Sequence, residues 1–138
     1  MNDIQRLAAL RIVLIAVGLI TLFAIWPLMM LWPSGWTWHS GHSDYPLMIV
    51  GIYATLGVFL LMASRDPLKH LSLIWFTVWS SIVHGVIMAV QSFGVEMDGT
   101  RHVGHLAGDV PALFIIAAVL AFLTPRGDKV RDLARVTP

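Results

Sequence analysis

Residues 71–93, LSLIWFTVWSSIVHGVIMAVQSF, run for 23 positions without an Asp, Glu, Lys or Arg. An α-helix needs about 20 apolar residues to cross a hydrocarbon core of roughly 30 Å, since each residue rises about 1.5 Å. A single run of this kind can be the buried core helix of a soluble domain. This one has company. Three further apolar runs occupy residues 12–32, 47–64 and 106–124; none contains Lys or Arg, and the only acid within any of them is Asp109.

The rest of the composition agrees. The chain has 138 residues, of which 57% are hydrophobic and 12% charged. That is about half the charge of an ordinary soluble domain, and too little polar surface to coat a globule of this size. The sequence therefore predicts an all-α integral membrane protein: a single up-down four-helix bundle over residues 1–138. The first run is longer than a signal-peptide core and is followed by LWPSGWTW, not by a small-residue cleavage site, so it reads as a retained span.

Basic residues set the expected orientation. Arg6 and Arg11 precede the first run, Arg65 and Lys69 lie in the SRDPLKH connector, and Arg126, Lys129, Arg131 and Arg135 follow the fourth. Only Arg101 falls in the other connectors. Both termini are thus expected in the cytoplasm, with the protein in an inner membrane. The short SRDPLKH connector predicts an antiparallel hairpin of the second and third helices. Trp26, Trp32, Trp36, Trp38 and Tyr45 mark the outer interface, and the tail after Pro125 reads as an amphipathic turn or two near the headgroups.

Several function classes are excluded or weakened by what is missing. The formal net charge is +1 and no basic patch interleaves with aromatics, so nucleic acid is not an expected partner. With no cysteine there is no disulfide, thiolate metal site or cysteine nucleophile. Motifs for nucleotide binding, serine hydrolysis and zinc proteolysis are absent.

The polar residues that remain gather towards the outer face. On the third run Thr77, Ser80, Ser81, His84, Met88 and Gln91 recur at three- and four-residue spacing, which places them on one helical face directed into the bundle. His84 would lie about 13 Å below the outer end of its helix. An ionisable residue at such depth is a candidate site by default, because each ring nitrogen needs a partner. The bland account makes His84 a peg that fixes helix register by bonding a nearby serine or a hydroxyl on another helix.

In HVGHLAGDVP, His105 and Asp109 stand four apart, a spacing at which an imidazole and a carboxylate can hold one divalent cation. Asp109 before Val110-Pro111 also reads as an N-cap. A helix starting there would be short, about 22 Å, whereas a start near Gly104 with a kink at Pro111 would span the core; the sequence offers both starts. Gly104, Gly108 and Ala112, like Gly51 and Thr55, form small-residue series suited to close helix packing. His39 and His42 in HSGHSD are a weaker metal candidate, joined by His84, His105 and Asp109 if the outer loops converge. A bis-histidine haem lacks a second histidine at matching depth.

Tyr45-Pro46, Gly51-Ile52-Tyr53, Asp66-Pro67, Ser80-Ser81, His84, Met88-Ala89 and Gly108-Asp109-Val110-Pro111 together carry a resemblance. Over about two thirds of its length the chain resembles a family of small four-span bacterial membrane proteins of uncharacterised function, and its architecture is similar to the broader DoxX-like four-helix bundles. The resemblance implies the fold and no reaction. The expected function is a non-enzymatic binding or accessory protein, with an outward-opening pocket of His84, Met88, Gln91, Ser80, Ser81 and Asp109 for a metal ion or a polar-headed lipid or quinone. The alternatives are a structural subunit of a membrane complex or homo-oligomer, and a small proton-coupled carrier or membrane enzyme.

Overall fold

The structure, a computed structural model, describes residues 2–37, 45–94 and 103–127. Four helical stretches in it are long and apolar enough to cross a membrane: Asp3–Leu31, Tyr45–Arg65, Pro67–Ser92 and Val103–Leu123. The described residues contain helix and turn but no strand.

The first stretch begins earlier than its apolar run. Asn2 accepts from the Gln5 amide at 2.8 Å while the Gln5 side chain accepts from the Asn2 amide at 3.1 Å, a reciprocal cap that starts α1 (Asp3–Leu19) well before residue 12. Arg6 and Arg11 therefore ride on the helix. Further along, Pro27 lacks an N–H and so cannot bond the Phe23 carbonyl four residues back. The helix widens into one π turn, Ile20–Ala24, and resumes as α2 (Ile25–Leu31). A short α3 (Pro33–Trp36) follows, tied back by the Thr37 hydroxyl donating to the Met29 carbonyl at 3.1 Å.

α4 (Tyr45–Arg65) ends at Asp66-Pro67, a 3₁₀ turn spans Pro67–His70, and α5 (Leu71–Ser92) returns. Lys69 pairs with Asp66 at 2.7 Å across this turn, and that hydrogen bond holds the Asp66 carboxyl below the usual carboxylate range. A second 3₁₀ turn, Val103–Leu106, leads into α6 (Asp109–Leu123). Here the structure decides between the two starts that the sequence offers. α6 does not start near Gly104 and kink at Pro111. Gly108 is its N-cap and Asp109 its first helical residue, which puts Pro111 in the tolerated first turn. The 3₁₀ turn supplies the missing length.

Helix pairing also departs from expectation. α1 lies along α4 and α5 along α6, whereas α4 and α5 pack far less closely despite their short connector. Close approach of α1 and α4 centres on Gly18 and Gly57: a Cβ on Gly57 would sit 2.6 Å from the Gly18 carbonyl oxygen and 2.9 Å from the Leu22 nitrogen. Gly51 plays no such part, being exposed with open space beside it, and the Thr55 hydroxyl turns back to the Gly51 carbonyl at 2.9 Å.

Packing is uneven along the bundle. At the end where Arg6 meets Leu123, Leu10, Leu14, Leu60, Ile74 and Leu120 are fully buried in one continuous core. Arg6 clips that end shut: its Nε donates to the Leu123 carbonyl at 3.2 Å, a second guanidinium N–H reaches the Phe122 carbonyl, and the group lies over the Phe122 ring. Arg126 stacks over Trp75 nearby, 4.7 Å from the ring centroid. At the opposite end, where the long loops lie, the core shrinks to Met88, Val110 and Leu113. Outward-facing Phe23, Ile52, Phe76, Ile115 and Phe122 cover the flanks, a surface suited to lipid.

Candidate functional site

α5 buries Thr77, Ser81, Gly85, Met88 and Ser92 along one stripe. Its hydroxyls are largely consumed within the helix: Thr77 donates to the Leu73 carbonyl at 2.9 Å, Ser80 to Thr77 at 3.2 Å and Ser92 to Met88 at 2.8 Å. Such back-bonding lets a hydroxyl face an apolar environment without a partner elsewhere. His84 stands on the flank of the stripe and reaches across to α4. Its Nδ1 lies 2.8 Å from the Tyr53 hydroxyl, with the two ring planes inclined by 21°. This is the hydroxyl on another helix that the sequence left unnamed.

The second polar pair belongs to the junction before α6. His105 Nδ1 and an Asp109 carboxyl oxygen share a hydrogen bond of 2.8 Å, bridging the 3₁₀ turn and the first helical turn. His105 is fully buried and Asp109 nearly so. The junction is pressed against α3, since a Cβ on Gly104 would strike the Ser34 carbonyl and one on Gly108 that of Gly35. Small residues here serve approach to a turn, not to a spanning helix. In the same α3 the Trp36 indole Nε1 is buried with no hydrogen-bond partner among the described residues, a donor that water or a ligand oxygen would satisfy.

Between these pairs the bundle is hollow. A cavity of about 500 Å³ takes its wall from every span: Thr21 and Met29 from the first, Tyr53 from α4, His84 from α5 and Asp109 from α6, with Trp36 of α3 beside them. A smaller space of about 250 Å³ lies between α4 and α5, bordered by Phe76, Ser80 and Ser81. Tyr53 and His84 border both. Loose packing of α4 on α5 leaves this space, and their one side-chain hydrogen bond among the described residues, Tyr53 to His84, crosses it.

The expected site residues divide accordingly. His84, Met88 and Asp109 line the larger cavity, while Ser80 and Ser81 line the smaller. Gln91 lines neither and is exposed; the buried position is its neighbour Ser92. His105 is engaged with Asp109, and no three His, Asp or Glu side chains gather as metal ligands among the described residues. His39 and His42 lie outside those residues, as does the tail beyond Gly127.

Tyr53 and Trp36 are the residues that the sequence reading did not assign to the site. A signal for Tyr53 existed: it lies eight residues inside the loop end of α4, as His84 lies eight from the end of α5, so the two share a depth. No curated protein and no solved structure matches the chain. One family model does, over residues 5–134, a stretch that takes in three spans whole, the first from its third residue, and both polar pairs. The chain belongs to the family of unknown function DUF6632.

Proposed function

We propose that this membrane protein is a non-enzymatic binding protein that holds a small amphiphilic molecule in the hollow end of its bundle. The observation that carries the reading is the cavity of about 500 Å³, whose wall is apolar except for a few convergent polar groups, Tyr53, His84 and Asp109 among them. Ligand sites have that make-up, with apolar bulk for affinity and sparse polar groups for orientation. A packing defect of the same size would cost stability along its whole wall.

The route in is lateral. The smaller space between α4 and α5 is flanked by the outward-facing Ile52 and Phe76, so a molecule dissolved in the bilayer would meet the Tyr53–His84 bond before the main cavity. The distribution of basic residues supports cytoplasmic termini in an inner membrane, which puts the hollow end on the outer side. The hydrogen-bonded pairs give no nucleophile and no vacant metal set among the described residues, which favours binding over catalysis.

The test is native mass spectrometry of the full chain released from mild detergent, beside Ala112→Phe, which puts a ring into the cavity wall. Wild type should retain a non-covalent apolar molecule that the filled variant lacks. Equal content in two folded proteins would remove the reading and leave a purely structural bundle.

A further inference from the structure

Resting on the binding function above, the geometry points to a neutral apolar molecule with a carbonyl oxygen (a ketone, quinone or ester) that accepts a hydrogen bond from His84 Nε2. The other ring nitrogen, Nδ1, is engaged by the Tyr53 hydroxyl at 2.8 Å. Nε2 has no hydrogen-bond partner among the described residues, yet it is not sealed among protein atoms as the unpaired Trp36 nitrogen is. His84 is half-buried and borders both the larger cavity and the smaller space between α4 and α5. A polar atom that opens on apolar space without a partner is costly, and a bound molecule can supply the partner.

Tyr53 fixes the role of that atom. Its hydroxyl makes one hydrogen bond among the described residues, the one to His84. If Nδ1 donated, the phenolic O–H would be left without an acceptor; if the phenol donates, only an oxygen lone pair goes unused, which costs less. The hydroxyl therefore donates to Nδ1, and the imidazole proton sits on Nε2. Protonation of the ring would keep a proton there, since both nitrogens of an imidazolium donate. In either state Nε2 presents a donor, and its partner must be an acceptor. Among the described residues no Lys or Arg lines either space, and a buried carboxylate or phosphate without such a partner costs far more than a buried carbonyl. A carbonyl is also an acceptor that brings no donor of its own to satisfy. A plain hydrocarbon would fill the volume and leave Nε2 unpaired.

Benzophenone and diphenylmethane have nearly the same outline, and only the first carries a carbonyl. Calorimetric titration of the protein in uncharged detergent gives the ratio of their affinities, and comparing that ratio between wild type and His84→Phe cancels partition into micelles. Benzophenone's advantage should be roughly 2- to 10-fold larger in wild type. Tyr53→Phe breaks the same contact between α4 and α5 but leaves Nε2 in place. It should weaken benzophenone by no more than about twofold, because the freed ring then divides its proton between two nitrogens. In the infrared, the carbonyl stretch of bound benzophenone should lie below its value in hydrocarbon solution, and His84→Phe should restore that value. Equal ratios in wild type and His84→Phe, an unshifted stretch, or the same loss in Tyr53→Phe would overturn the carbonyl assignment while leaving a cavity that binds apolar molecules. Binding of neither probe above an Ala112→Phe background would overturn both.

Discussion

Tyr53 and His84 are each half-buried, and the 2.8 Å bond between them is the point at which α4 and α5 recognise one another. Bonds of this type between membrane helices are worth about 0.6 kcal/mol on average and up to about 1.7 kcal/mol. A double-mutant cycle of Tyr53→Phe and His84→Ala, followed by denaturant unfolding in detergent, should return a coupling in that range. A value near zero would mean that the pair does not hold the helices together. The sequence made His84 legible because an imidazole is out of place in an apolar run. It did not make Gln91's position legible, for a geometric reason. At about 100° per residue, residues 77, 84 and 91 drift steadily round the helix, and the buried arc is centred on the other side of Thr77, where Ser81, Gly85 and Ser92 lie. Small residues drew the neighbouring helix to their own side. Size, which polarity patterns ignore, set the face.

α4 shows the same rule at the level of an element. It offers two glycines, Gly51 and Gly57, and only the second meets α1. Gly57→Ala should separate the helices and cost about 1–3 kcal/mol, because backbone atoms of α1 block the new methyl. Gly51→Ala meets open space and should be neutral or stabilise by up to about 1 kcal/mol through helix propensity. The same unfolding experiment ranks them; a reversed order would contradict the α1–α4 interface. Gly108→Ala should disturb α3 and with it the seat of Trp36, read as a change in tryptophan emission. Span existence and order were legible from apolar runs, since the bilayer fixes length and composition. Span ends were not. Asn2 and Gln5 extend α1 by local capping, and the α6 start was decided by α3 pressing on Gly104 and Gly108, a contact between segments some 70 residues apart.

Across the whole molecule, a dense half and a hollow half share the same four helices. Amides near Leu10, Leu14, Leu60 and Leu120 should therefore exchange with deuterium more slowly than those near Tyr53 and Met88. A uniform profile along each span would argue against two unequal cores. Nothing in the hydropathy pattern foretells this asymmetry, because in a membrane helix every face is apolar and the buried one is marked only by fit. The Arg6 clip carries one more implication, and it concerns synthesis. Arg6 at the start of α1 is fastened to carbonyls at the end of α6, so the guanidinium waits for its acceptors until residues 122 and 123 have left the ribosome. Until then the Leu7, Leu10 and Leu14 seam lacks the Ala117–Leu123 strip that covers it. Synthesis of α6 thus becomes a condition for closure, and a nascent product halted before residue 103 should stay open to quality-control proteases, measurable as a shortened half-life beside the chain that carries α6.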